Sequence, residues 1–184
     1  MFRDLLLKLL ESYQQEYPEE TSCVERYTNF VTTNPHCFER SLEIGHVTGS
    51  AWVVNRAGTH TLLTHHKKLN KWLQPGGHAD GNPNVLEVAL QEAQEETGIA
   101  NFKTLSEGIF DLDIHLIPAR KNVPAHSHYD SRFVLQTVDL EEYQVSDESH
   151  DLAWIEIKKL EEFTQEESML RMARKWASLL RERH

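Results

Sequence analysis

Between Gln74 and Gly98 the chain passes from a segment that no regular element tolerates for long into one that favours a helix. Gln74-Pro75-Gly76-Gly77-His78-Ala79-Asp80-Gly81-Asn82-Pro83 holds three glycines and two prolines in ten positions, the composition of a shaped loop. Asn82 then reads as an N-cap, Pro83 as the first helical residue and Gly98 as the residue past the last turn. The spacing therefore predicts a helix from 83 to about 97, with Val85, Leu86, Ala89, Leu90 and Ala93 as its apolar stripe. Glu92, Glu95 and Glu96 fall at i, i+3 and i+4, within about 5–6 Å of one another at Cβ.

Three like charges on one patch have two readings. On a solvated acidic face each pair costs only tenths of a kcal/mol. In a partly buried setting, with an effective dielectric of about 20, each pair about 6 Å apart repels by about 3 kcal/mol, and a divalent cation reverses the sign. Hard oxygen ligands suit Mg²⁺, which takes one or two carboxylates and completes its shell with water and phosphate oxygens. A glycine loop also lets a backbone carbonyl approach such an ion closely.

On these residues the sequence resembles the Nudix hydrolases. Their box is a glycine, five residues, a glutamate, seven residues, then Arg-Glu-U-x-Glu-Glu-x-Gly-U, where U is a bulky aliphatic residue. Aligning Gly77 with the first glycine puts Glu92, Glu95 and Glu96 at the glutamates, Gly98 at the second glycine and Ile99 at the final aliphatic, with Ala93 a small residue at the first U. Pro83 replaces the early glutamate and Gln91 the arginine. In the family those two side chains can pair as ions, so losing both strands neither charge. The resemblance spans roughly residues 45 to 160. It implies an α/β fold, an α/β/α sandwich around a mixed β-sheet, and a metal site made by Glu92, Glu95, Glu96 and the Gly76 carbonyl. It also implies hydrolysis of a phosphoanhydride bond by metal-activated water, with Mg²⁺ as cofactor and Mn²⁺ as a substitute.

The surrounding pattern fits that architecture. Val47 to Asn55 reads as a strand, Arg56-Ala57-Gly58-Thr59 as a turn and Thr61 to His65 as the hairpin partner. Further strands are expected at about 104–116, 131–139 and 152–157, and an amphipathic helix from Met169 to Leu180. Phe2 to Tyr17 and Cys23 to Val31 have helical spacing, so residues 1–40 read as a helical extension packed on a single unit of residues 41–184. Leu5-Leu6-Leu7 is interrupted by Lys8 and Glu11 and lacks a small-residue cleavage site, and no stretch approaches a membrane span. Cys23 and Cys37 form no metal motif and read as buried or free thiols in a reducing cytoplasm, with a bridge between them as the alternative. The net charge of −10 argues against a general nucleic-acid surface. It also requires a polyanionic small-molecule substrate to be received locally, by metal and nearby cations.

The candidate substrate contacts are Trp72, behind His65-His66-Lys67-Lys68, and the run His126-Ser127-His128-Tyr129-Asp130-Ser131-Arg132, preceded by the loop cations Arg120 and Lys121. Lys67 and Lys68 also read as a solvated hairpin loop. Arg132 stands at a strand start, where its guanidinium either grips a phosphate bidentately or pairs with a carboxylate. On a strand His126, His128 and Asp130 share a face, and Asp111, Asp113 and His115 repeat that spacing. Both sets read either as water-facing positions or as one shared polar pocket that binds substrate or a second metal. In Ser146-Asp147-Glu148-Ser149-His150-Asp151, Glu148 is the candidate general base by resemblance, with His150 in reserve; Glu95 could remove the proton instead.

Three other functions compete: a non-catalytic nucleotide-binding module on the same fold, an enzyme like isopentenyl-diphosphate isomerase, which needs a reactive cysteine, and a cupin-like oxygenase prompted by His126-Ser127-His128. The last expects a glutamate a few residues on, where Ser131, Arg132 and Phe133 stand. The helical extension could wall a pocket or form a homodimer interface.

Overall fold

The computed structural model describes residues 2–67, 69–120, 123–139, 141–146 and 149–182. Among them are helices α1 (Asp4–Glu16), α2 (Thr21–Thr33), α3 (Val85–Thr97) and α4 (Glu167–Glu182). The strands are β1 (Gly45–Val54), β2 (His60–His66), β3 (Lys71–Leu73), β4 (Gly76–His78), β5 (Phe102–Thr104), β6 (Asp111–Ile117), β7 (His126–Thr137) and β8 (Ser149–Glu156). They order as β3-β2-β1-β7-β5, with β4 added to β1, β6 to β7 and β8 to β2. The chain thus has the mixed sheet, the helices and the two N-terminal helices expected from the sequence.

Two compact units divide the chain. The first comprises Met1–Ser50, Gly76–Leu90 and Ser106–Phe133. Its core draws Leu6, Leu10 and Tyr13 from α1, Val24, Tyr27 and Phe30 from α2, Val85 and Ala89 from α3, and Leu112 and Phe133 from the strands. The N-terminal helices therefore share a core with β6 and β7. Phe30 stacks flat on Tyr129 at 3.8 Å, and the buried Tyr27 hydroxyl donates to the Tyr129 carbonyl at 2.7 Å. Gly49 lets α3 approach β1: a Cβ there would meet the Val85 carbonyl at 2.6 Å.

The second unit comprises Ala51–Pro75, Gln91–Leu105 and Val134–His184. Antiparallel β8 lies along the whole of β2, from His60 opposite Glu156 to His66 opposite Ser149. The amphipathic α4 buries Met169, Met172 and Trp176, and the Trp176 indole donates to the Gly58 carbonyl at 2.8 Å, which pins the helix to the β1–β2 turn.

Several boundaries differ from the sequence reading. The helix expected from 83 starts at Val85. Asn82 accepts the Asn84 N–H at 2.9 Å, closing a local turn around Pro83, and Asn84 supplies the side-chain oxygen that faces the Glu87 N–H at 3.4 Å. The cap is thus two residues later than expected, as happens when two nearby Asn side chains compete for one turn. The strand expected over 104–116 is two strands, β5 and β6, separated by a turn in which the Gly108 N–H donates to the Ser106 hydroxyl at 3.0 Å. Part of the glycine loop is itself a strand: β4 pairs with β1, Gly76 opposite Ser50 and His78 opposite Thr48.

Candidate functional site

The acidic end of α3 forms as expected. Gly98 takes φ +70°, a left-handed value that suits glycine, and its N–H donates to the Gln94 carbonyl at 2.9 Å, ending the helix. Glu96 is buried, Glu92 half-buried and Glu95 exposed. Gln91, at the position of the box's arginine, donates to Glu95 Oε1 at 2.8 Å. A neutral amide one turn back thus holds Glu95. The Thr97 carbonyl receives the Gln144 N–H at 2.8 Å, so the segment that continues towards Glu148 closes the last turn of α3. Glu148 itself, with Lys68 and Lys121, lies outside the described residues.

Hard carboxylate oxygens on one helix edge suit Mg²⁺, which needs only one or two of them alongside water and substrate phosphate. The donor set of Glu92, Glu95 and Glu96 therefore fits the metal the resemblance implies.

Trp72 lies on β3, half-buried, with its ring stacked on His65 at 4.9 Å and 14°. The reserve base His150 is exposed on β8 beside the other side of that pair, its ring 5.4 Å from His65.

In the first unit, Gly76 stands on β4 against Ser50, whose Cβ would lie 2.6 Å from a Cβ added to the glycine. Gly76→Ala is expected to lower stability by about 1–3 kcal/mol through overpacking, measured as the urea midpoint; an unchanged midpoint would show that β4 moves away from β1 without cost.

The two alternating polar sets meet on one face of the paired strands β6 and β7. Register places Asp111 opposite Arg132, Asp113 opposite Asp130 and His115 opposite His128. Here the water-facing reading fails: Asp111, Asp130 and Arg132 are all buried, at 0%, 2% and 2% exposure. Arg132 donates through Nε to Asp130 at 2.8 Å and through Nη1 to Asp111 at 3.1 Å, and its Nη2 lies 3.4 Å from Asp113. Of its two expected roles Arg132 takes the carboxylate pairing, and a guanidinium so enclosed presents no face to a phosphate. Burial alone would lower its pKa, but Asp130, Asp111 and Asp113 outweigh that and raise it. Asp130 in turn accepts the hydroxyls of Thr48 at 2.8 Å and Ser50 at 2.7 Å, tying β7 to β1.

Above this ionic floor sit the histidines. His126 and His128 are brought together with two residues that sequence reasoning did not single out, His46 on β1 and His78 on β4. Ring centroids of His46 lie 4.9 Å from His78, 4.9 Å from His126 and 4.8 Å from His128, and His115 is 5.4 Å from His128. His46 Nε2 and His128 Nε2 are 3.2 Å apart. Burial, reinforced by neighbouring His78 and His126, pushes His46 down to about 4. Burial, with His115 and His46 adding to it, pushes His128 down to about 2. The available signal was the polar alternation His46-x-Thr48-x-Ser50 inside an otherwise apolar strand.

Cys23 and Cys37 are both unbridged. Burial pushes the Cys37 thiol up to about 11, so it is protonated at neutral pH and unsuited to the reactive-cysteine chemistry of an isomerase. No helix among the described residues is long and apolar enough to cross a membrane.

Among solved structures, the fold is similar to an Ap4A hydrolase binary complex from C. elegans, with TM-score 0.58 and 18% identity over 73% of this chain and 98% of that one. It is also similar to a NUDIX-family hydrolase from Clostridium perfringens, with TM-score 0.56 and 26% identity over 73% of this chain and 97% of that one. In sequence it is 39% identical over 61 residues to the mouse asymmetrical bis(5'-nucleosyl)-tetraphosphatase, a match covering 33% of this chain. The rat enzyme of the same name is 35% identical over 60 residues. These matches span 41% of the length of either relative. The model of the NUDIX domain matches residues 46–176, from the first residues of β1 into α4, and the chain belongs to the Nudix family.

Proposed function

We propose that this protein hydrolyses a phosphoanhydride bond in a nucleoside diphosphate derivative, with Mg²⁺ as cofactor and Mn²⁺ able to replace it. The observation that carries the reading is the acidic end of α3: three carboxylates over its last two turns, closed by a left-handed glycine, in a chain of the Nudix family. Bis(5'-nucleosyl) tetraphosphates, the substrates in the names of the mouse and rat relatives, are the first to test, ahead of nucleotide sugars, coenzymes and nucleoside triphosphates.

Glu92, Glu95 and Glu96 would hold the ion. When bound, a divalent ion in such a site neutralises diphosphate charge and lowers the pKa of a coordinated water. The chain's own contributions follow from exposure and placement. Glu96 is the buried member of the trio, so a charge on it is screened less by water than one on exposed Glu95. Exposed Glu95, steadied by Gln91, is the carboxylate placed to take the proton of the attacking water. Glu148 is the second candidate for that proton. Trp72, backed by His65, offers a flat ring against which a base can stack.

The test is product analysis over a panel of bis(5'-nucleosyl) polyphosphates, nucleotide sugars, dinucleotide coenzymes and nucleoside triphosphates, with Mg²⁺ or Mn²⁺ in ¹⁸O-water. The expected result is cleavage of at least one class into two phosphate-bearing products, with ¹⁸O on one of them marking the attacked phosphorus. Silence across the panel with both metals would replace the hydrolase by a nucleotide-binding module.

A further inference from the structure

We propose that His46, His78 and His128 form a second metal centre, selective for late first-row divalent ions and for zinc in particular, separate in ligand chemistry from the carboxylates of α3. The three rings come from β1, β4 and β7, and one ligand nitrogen of each lies within 4.8 Å of the other two. Among the described residues no other trio of His, Cys, Asp or Glu gathers this closely.

The His46–His128 separation is the most telling feature. Two imidazole nitrogens held by one tetrahedral zinc at about 2.0–2.1 Å lie about 3.3–3.4 Å apart, and the observed 3.2 Å matches that span. The third ligand nitrogen lies within 4.8 Å of the other two, and side-chain rotation brings it onto the same ion.

Ligand type sets the metal. Imidazole suits Zn²⁺, Ni²⁺ and Cu²⁺, whereas Mg²⁺ prefers oxygen and octahedral geometry. Three neutral rings with no carboxylate among them leave the ion its full double charge and an open fourth position, the arrangement that zinc takes when it binds water or an anion. In a chain of net charge −10 this is a local positive centre that a phosphate can approach.

The surroundings are those of a built site. His115 Nδ1 pairs with Asp113 at 2.9 Å and its ring stands beside His128; His126 Nδ1 faces the Pro124 carbonyl at 2.9 Å and its ring stands beside His46. Two of the strands carrying the ligands, β1 and β7, are tied by the Thr48, Ser50, Asp130 and Arg132 bonds, and β4 pairs with β1 through His78 opposite Thr48.

The experiment uses the full chain without an affinity tag, stripped with chelator, then titrated with Zn²⁺ calorimetrically in millimolar Mg²⁺ so that the oxygen site is already occupied. One equivalent of Zn²⁺ is expected to bind, with imidazole scattering in its X-ray absorption spectrum, and Co²⁺ in its place should give visible d–d absorption that inorganic phosphate shifts. His46→Gln and His128→Gln should each weaken Zn²⁺ binding by about 100-fold or more. If either variant loses its native circular dichroism, the half-exposed His78→Gln takes its place. Zinc affinity unchanged in a folded variant, or zinc displaced by Mg²⁺, would overturn the proposal. A Co²⁺ spectrum indifferent to phosphate would overturn the open position. Hydrolase activity enters none of these readouts, so the centre and the α3 site fail independently.

Discussion

Arg132→Met lowers the free energy of unfolding by about 3–5 kcal/mol, the usual cost of removing one partner from a buried ion cluster. The guanidinium answers three carboxylates at once, and two of them, Asp111 and Asp130, have 0% and 2% of their side chains exposed. Methionine matches its volume but leaves those charges facing one another without a counter-ion. Lysine is no remedy, because a single ammonium cannot reproduce a planar fork that reaches three acceptors. The loss should propagate to β1, since Asp130 also receives the Thr48 and Ser50 hydroxyls. The check is urea denaturation of Arg132→Met, of Asp111→Asn and of the double variant. The expected double loss is well short of the sum of the single losses, because both substitutions break one network. Additive losses below about 1 kcal/mol each would reduce the cluster to an incidental contact.

That cluster also shows where sequence reading succeeds and where it stops. The alternations Asp111-x-Asp113-x-His115 and His126-x-His128-x-Asp130 were visible as one-faced sets, because a strand's side-chain period is fixed at two. Their meeting was not visible, because it depends on register, and register is set by packing and by the connection between Ile117, where β6 ends, and His126, where β7 begins. The histidine centre was less legible still. His46, His78 and His128 are spread across three strands, and the shortest of these, β4, hides within a segment whose glycines signal a loop. Glycine there serves close approach to Ser50 rather than a turn. By contrast, α3 was readable almost whole: its apolar stripe, its acidic end and Gly98 are local features, and only the competition between Asn82 and Asn84 moved its start.

Glu96→Gln should reduce turnover by about 10²–10³-fold or more, the scale at which loss of one electrostatic contact to the transition state is felt. The substitution keeps side-chain volume and one carbonyl oxygen but deletes the charge of the buried member of the trio. Glu95→Gln probes a different step: the exposed carboxylate is placed for proton uptake, so its loss should lower kcat and flatten the acid limb of the pH–rate profile more than it shifts the Mg²⁺ requirement. Stability separates a metal site from a structural carboxylate. If Glu92, Glu95 and Glu96 repel one another without an ion, removing one charge should leave Tm unchanged or higher in EDTA, and the stabilisation that Mg²⁺ gives the wild type should vanish in the variant. Activity then falls while the metal-free fold does not weaken. A Glu96→Gln protein with wild-type rates at limiting Mg²⁺ would defeat the metal assignment. One whose Tm drops in EDTA would make Glu96 a structural carboxylate.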